Sequence, residues 1–235
     1  MKMKNKKEEQ KRKKQQHRKA LKEAKRKKRG EAPDLNRAKA EKTEKEKFLI
    51  VCEGENTEPS YFKKFKLTTA TIKAVGEGYN TISLVRQAEK LAEKDDYDQV
   101  WCVFDKDNFP AENFNNAIYM AEEMGFHVAY SNQAFEYWLI LHFEDHQGGA
   151  MHRDDYGVKL NSYLKAFGTE YDTDSKEITD KIFNILLSKQ NGESRQTLAK
   201  GRAKKILKHH EGTPPATAES STTVFKLIGE LEKYG

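Results

Sequence analysis

No stretch of this chain approaches the ~18 consecutive apolar residues that a membrane-spanning helix requires. Its charged N-terminus has no apolar segment behind it, so neither a membrane span nor a secretory signal is expected. Cysteine is scarce: the two in 235 residues, Cys52 and Cys102, each lie inside an apolar run. That excludes a disulfide-stapled scaffold and fits reduced, buried thiols in a cytoplasmic protein; a bridge between them would require neighbouring strands. No Gly-x-x-x-x-Gly-Lys-Ser/Thr segment occurs, so the chain is not itself a P-loop ATPase, and no internal repeat is found.

Large apolar side chains are nearly absent from residues 1–47, where Leu21 and Leu35 are the exceptions after the initiator region. The same segment holds 21 Lys/Arg against 8 Asp/Glu, whereas the remaining 188 residues hold 22 against 29. The formal net charge of +6 therefore conceals a basic arm and an acidic body. Ala, Lys, Glu, Gln and Arg favour helix, but without an apolar stripe a helix here has little reason to pack. Residues 1–46 are read as a basic N-terminal arm, flexible or helical, that neutralises nucleic-acid phosphates through counterion release. A solvated tail is the competing reading.

From residue 48 the pattern alternates between strands and helices. Phe48–Cys52 and Val100–Phe104 are continuous apolar runs, the mark of strands buried on both faces of a parallel sheet; the second belongs to a strand expected over Asp98–Phe104. Between and after them the spacing predicts a helix from Glu58 to Lys66 with Thr57 as cap and Pro59 in its first turn. A strand follows over Thr69–Val75, then a helix capped by Asn80 or Thr81 and running to Lys94. Further on come a helix over Ala111–Met124 stopping at Gly125, a strand over Phe126–Tyr130, and an unusually aromatic helix over Gln133–Phe143. Beyond the loop at Gln147-Gly148-Gly149, helices are expected over Tyr156–Phe167, Asp174–Ser188, Ser194–His210 and Thr222–Tyr234, the last two separated by Thr213-Pro214-Pro215. The order predicts an α/β fold: a mostly parallel sheet of about four strands flanked by helices at 47–145, with right-handed crossovers and a helical C-terminal elaboration at 146–235 packed on it.

Both apolar runs end in acids. The first runs into Glu53-Gly54-Glu55, the second into Asp105-Lys106-Asp107. Ligand sites of open α/β sheets lie just beyond the carboxyl ends of the strands, so two strands delivering carboxylates to that edge would build one anionic pocket. Mg²⁺ and Mn²⁺ prefer such carboxylate and water oxygens. A cation held there can offset charge on a phosphodiester and help generate a hydroxide nucleophile. The competing reading is that each acid caps the helix after it. Lys106 between the acids would counter phosphate charge or soften their mutual repulsion.

The pairing of Glu-Gly after the first strand with Asp-x-Asp after the third resembles the Toprim domain of topoisomerases, primases and OLD-type nucleases. More narrowly, Val51-Cys52-Glu53-Gly54-Glu55-Asn56-Thr57-Glu58-Pro59 with Tyr61-Phe62 resembles the opening motif of the RloB family, which includes AbiLii-type phage-defence proteins. Val100–Asp107, Ala129-Tyr130-Ser131-Asn132, Phe135–Leu139 and Leu141–Glu144 extend the resemblance over residues 46–145. It implies a Toprim-like core in which Glu53 is a metal ligand or general base and Asp105 and Asp107 form the metal-binding pair. Glu55 and Glu58 would complete or orient the site. It further implies Mg²⁺- or Mn²⁺-dependent cleavage of nucleic acid, DNA or RNA, in phage defence with an ATPase partner subunit. The alternative is a catalytically weak nucleic-acid-binding or regulatory subunit of such a complex. Two departures stand out: Gln133 occupies the place of a family proline, and Ser220–Val224 lacks the Asn-Pro that often precedes its helix.

Further candidates lie on the same edge. Ser131, Asn132 and Glu136 follow the fourth strand, where Glu136 is the expected additional metal ligand and Ser131 and Asn132 are phosphate contacts or helix caps. His142 is read as a satisfied structural histidine, against a metal ligand. Gly76-Glu77-Gly78 is read as an ordinary strand-to-helix turn, against a phosphate-binding loop. Arg195, Lys200, Arg202, Lys204 and Lys205, continuing to Lys208, His209 and His210, form a basic helical run that would hold a nucleic-acid backbone or simply face solvent.

Overall fold

A computed structural model of the chain describes residues 45–235 apart from 77, 79, 80, 108, 109, 148 and 150. The basic arm, except its last two residues, lies outside the described residues, as do Glu77, the Asn80 cap and Gly148 of the expected loop. Four strands form one all-parallel sheet: β1 (Glu46–Cys52), β2 (Ala70–Gly76), β3 (Gln99–Lys106) and β4 (His127–Asn132), in the spatial order β2-β1-β3-β4. The crossovers are α1 (Thr57–Phe62), α2 (Thr81–Ala92) and α3 (Ala111–Glu123). This is the expected α/β architecture.

The period of two along a strand sends alternate residues to opposite faces, and both faces are covered. Leu49, Val51, Val100, Cys102 and Phe104 pack against Leu84, Val85 and Ala88 of α2 and Phe114, Ala117 and Ala121 of α3. Phe48, Ile50, Cys52, Trp101, Val103 and Ala129 pack against the other side, which the second half of the chain fills. Cys52 and Cys102 are free and buried. Their strands are neighbours, yet they belong to opposite faces of the sheet, so no disulfide can join them.

That second half comprises α4 (Glu136–Ile140), α5 (Arg153–Leu164), α6 (Asp180–Leu187), α7 (Arg195–His209) and α8 (Val224–Leu231), with a hairpin of β5 (Lys189–Gln190) and β6 (Glu193–Ser194) before α7. The differences from expectation each have a local cause. Helix α4 begins at Glu136 rather than Gln133 because Gln133 adopts φ +82°, a left-handed turn that proline's ring forbids. Helix α6 begins at Asp180 rather than Asp174 because Thr179 accepts the Ile182 N–H as its cap, leaving 172–176 as a loop. Helix α8 begins at Val224 rather than Thr222 because the backbone of Ser221–Thr223 pairs with β4: Thr223 N donates to Tyr130 O at 2.8 Å and Asn132 N to Ser221 O at 2.7 Å. That strap covers the outer edge of β4. Among the described residues no helix is long and apolar enough to cross a membrane.

Candidate active site

Strand β3 runs further toward its carboxyl end than the apolar pattern indicates. Cys52 stands opposite Val103 and the pairing continues through Glu53 N to Val103 O at 2.9 Å, so Asp105 is still within β3, beside the Glu53 turn. Alternation places Asp105 on the face of Trp101 and Val103, under the C-terminal helices, and turns Lys106 to the other face. The Glu53 carboxylate accepts the Asp105 N–H at 3.2 Å, and Asp105 accepts the Phe135 N–H at 2.9 Å. Three strand ends are thereby tied together by the acids themselves.

The glycines explain how the Glu53 turn fits. A Cβ at Gly76 would lie 2.4 Å from Glu55 Cα and 2.5 Å from Gly54 O, and Gly78 N donates to Glu53 O at 3.0 Å. A Cβ at Gly54 would meet the Glu58 carboxylate at 2.3 Å. Gly76 and Gly78 thus support the turn by close backbone approach, a firmer role than an ordinary strand-to-helix connection. Gly54 leaves room for Glu58 to fold back from α1.

A cavity of about 340 Å³ opens at this edge, lined by Glu53, Glu55, Glu58, Asp105, Asp107 and Glu136 among others. Five of these six acids are partly or fully buried, and Glu55 is exposed. Burial, opposed by the Asp105 N–H and reinforced by Asp107 and Glu58, pushes the Glu53 carboxyl up to about 7. Asp105 is held well above the carboxylate range by burial and by Glu58, Glu136 and Glu53 nearby. Glu58 is also raised, chiefly by burial. Three further side chains come from the second half of the chain. Arg153 Nη1 pairs with Asp107 Oδ2 at 3.0 Å, Lys176 lines the wall, and the Tyr171 hydroxyl donates to Glu136 at 2.7 Å while contacting Thr57 Oγ1 at 2.9 Å.

Six predicted acids therefore meet in one cavity, whereas the other predicted residues do not line it. Lys106 Nζ donates to the backbone O of Asp107 at 2.7 Å. Ser131 pairs with Thr222 at 3.2 Å and Asn132 donates to Pro215 O at 3.0 Å, so both hold the C-terminal strap. Five cations of the basic run of α7 have a partner within the fold, although Lys204 and Lys205 remain exposed. Arg195 donates to Gln190 and lies 5.0 Å over the Phe143 ring, and Arg202 donates to Leu141 O at 2.7 Å. Lys200 pairs with Glu232, Lys205 pairs with Asp145, and Lys204 lies 5.9 Å over Phe225.

Sequence reasoning missed Arg153, Tyr171 and Lys176. Arg153 left no trace, because the helix was expected to begin at Tyr156 and in fact begins at Arg153 itself. Lys176 sits in a loop mistaken for helix, and Tyr171 left no signal.

The donor set suits a hard divalent cation, since crowded carboxylate oxygens that resist ionising together are stabilised by added positive charge. They do not stand as a preformed cage: among the described residues no group of three His, Cys, Asp or Glu is arranged to ligate a metal. The bonds from Asp105 N, Phe135 N and Arg153 each hold one oxygen of Glu53, Asp105 and Asp107. Glu53, Asp105 and Asp107 are the residues that would hold the ion, with Glu58 and Glu136 behind them.

No match is found among curated proteins or among solved structures. The family described as RloB-like protein matches residues 48–231, a range that includes the acids of the cavity, the helix that supplies Arg153 and the loop that supplies Lys176. The chain belongs to the RloB-like family.

Proposed function

We propose that the protein is a cytoplasmic, Mg²⁺- or Mn²⁺-dependent phosphodiesterase of Toprim type that cleaves nucleic acid, acting in phage defence alongside an ATPase partner. The observation that supports this most is the meeting of Glu53, Asp105 and Asp107, with Glu58 and Glu136, in one cavity at the carboxyl edge of the sheet. A fold that only needed helix caps there would not bury several carboxylates against each other at the cost of raising their pKa values. A divalent cation held by Glu53, Asp105 and Asp107 would offset charge at the phosphodiester and make a water more acidic. The chain's own contribution is orientation: the Asp105 and Phe135 N–H groups fix Glu53 and Asp105, and Tyr171 fixes Glu136. Glu53, oriented by the Asp105 N–H, serves either as a ligand of that cation or as the base that accepts a proton from the attacking water.

The test is purified protein with Mg²⁺ or Mn²⁺ against plasmid DNA, single-stranded DNA and tRNA. Cleavage is expected for the wild type and its loss for Glu53→Ala and Asp105→Ala. Cleavage unchanged in both variants, or none of any substrate, would leave the nucleic-acid-binding subunit as the better reading.

A further inference from the structure

Two cations face the acid cavity, and the fold goes to some length to keep them there. Arg153 opens α5 against the helix dipole and is held half-buried by Asp107. Its guanidinium carries five N–H donors in a planar fork, and the contact to Asp107 engages one nitrogen. Lys176 stands at φ +54°, a left-handed conformation that costs a lysine energy and concentrates at functional sites.

The loop carrying Lys176 is built to hold that conformation. Asp172 Oδ1 accepts the Asp174 and Ser175 N–H groups, and Asp172 O accepts Lys176 N. The Asn161 side chain of α5 clamps the backbone of Tyr171 on both its N–H and its C=O. Gly157 lets the loop cross α5 closely, since a Cβ there would lie 2.6 Å from Thr173 Cγ2. The loop is pinned to the cavity wall by the Tyr171 hydroxyl on Glu136 and Thr57. Lys176 lines the cavity yet forms no ion pair with any described residue. Its charge offsets part of what burial costs the Glu58 carboxylate, and its exposed position leaves it open to an incoming anion as well.

We infer that Arg153 and Lys176 form an anion subsite on the wall of the carboxylate cavity, which takes a phosphate of a nucleic-acid backbone next to the acids. The planar fork of Arg153 suits two phosphate oxygens, and Lys176 acts as a point charge. The subsite lies on residues 153–176, so the second half of the chain supplies substrate binding while the sheet supplies the acids. The identity of the anion as a nucleic-acid phosphate rests on the function proposed above.

The test reads binding and cleavage separately. Affinity for a labelled single-stranded oligonucleotide with non-cleavable phosphorothioate linkages is measured against salt, at constant Mg²⁺, for the wild type, Arg153→Gln, Arg153→Lys, Lys176→Gly and Lys176→Asn. Glycine and asparagine both tolerate φ +54°, so the Lys176 variants remove the charge without disturbing the loop. Loss of one phosphate contact from a single strand lowers the salt slope by about 0.7 and weakens binding about fivefold at about 0.1 M salt. That change is expected for Arg153→Gln and for both Lys176 variants, while Arg153→Lys keeps the wild-type slope. An unchanged slope in Arg153→Gln and Lys176→Asn, with wild-type binding intact, overturns the subsite and leaves nuclease activity standing. Altered slopes in a wild type that cuts nothing support the subsite and remove the hydrolytic reading. Absence of any wild-type binding overturns both.

Discussion

At Glu53 a carboxyl that titrates near 7 sits beside a backbone N–H, two further acids and a guanidinium. Its ordinary range in an unfolded chain lies near 4.3, so the folded protein binds a proton there that the unfolded chain has already released. The stabilisation this brings is complete below about 4.3 and is lost as pH rises toward 7. A divalent cation competes with that proton, so stabilisation by Mn²⁺ is expected to grow between pH 6 and 8. Glu53→Gln, which stays neutral throughout, should reduce the dependence, the remainder coming from Asp105 and Glu58. Thermal melting with and without Mn²⁺ across that pH range measures it, and an equal Mn²⁺ effect at every pH would argue against Glu53 as a ligand.

His142 titrates in the opposite sense. It is fully buried in the core, with Nδ1–H donating to Trp138 O at 3.0 Å and Nε2 without a partner among the described residues. Burial depresses its pKa to about 3, against ~6.5 unfolded. The unfolded chain therefore takes up a proton that the folded protein refuses. Stability is retained above pH 6.5 and falls below it, by about 1.4 kcal/mol per pH unit from this one group. His142→Leu should lose that increment. Denaturant titrations at pH 7.5 and 5 are expected to show a smaller loss for the variant than for the wild type, by about 2 kcal/mol. Burial accords with the sequence reading of a structural histidine, but the unpartnered Nε2 departs from the expectation of a satisfied one.

At the scale of elements, the glycines beside the acids carry the geometry. The contacts that a Gly76 Cβ would make are with backbone atoms of Gly54 and Glu55, which cannot rotate aside. Gly76→Ala is therefore expected to destabilise by about 1–3 kcal/mol and to displace the Glu53 turn, weakening Mn²⁺ binding as well. Gly201 is the contrast: it lies exposed in α7 with nothing within 4 Å of an added Cβ. Gly201→Ala should stabilise by about 0.5–1 kcal/mol, because alanine loses less chain entropy in a helix. Denaturant midpoints that moved in the same direction for both would contradict the role given to Gly76.

Element by element, the sequence was most legible where one period ran without interruption. Phe48–Cys52 and Val100–Phe104 are apolar without a break, and both are central strands. The amphipathic faces of α2 and α3 were readable from Val85, Ala88, Leu91, Phe114 and Ala121, whereas Leu84 is buried outside the face that the spacing gave. What escaped was decided by single backbone residues or by contacts distant in the chain. Nothing local says that Thr179 rather than Asp174 caps α6, or that Ser221–Thr223 pairs with β4. The hairpin at Asn191-Gly192 was available, because Asn-Gly at positive φ is the signature of a two-residue type I′ turn, but it falls between two strong helical patterns. The acids of the site were visible because they end apolar strands. Arg153 and Lys176 were not, because their meeting with Asp107 and Glu58 depends on how α5 packs across the sheet.

On the scale of the whole molecule, the C-terminal strap bears on more than the end of the chain. β4 is an edge strand, and an uncovered edge offers a row of unpaired backbone groups. Thr222 and Thr223 answer this with backbone and side chain together. Thr223 Oγ1 accepts the Tyr130 N–H at 2.8 Å, Thr222 Oγ1 donates to Tyr130 O at 3.0 Å, and both threonines are buried. Because Ser131, beside Asp105 in the sheet, bonds Thr222, the strap also fixes the strand next to the site. Thr223→Val keeps the shape but leaves the buried Tyr130 N–H without its acceptor, which should cost about 1–3 kcal/mol. Lys226→Ala, on the exposed side of α8, should cost almost nothing. If the strap only closes the sheet edge, Thr223→Val will melt earlier while binding Mn²⁺ as tightly as wild type at temperatures where it remains folded. If Mn²⁺ affinity falls in step with stability, the strap sets the position of β4 against β3, and the site depends on the chain's last segment as much as on its first strand.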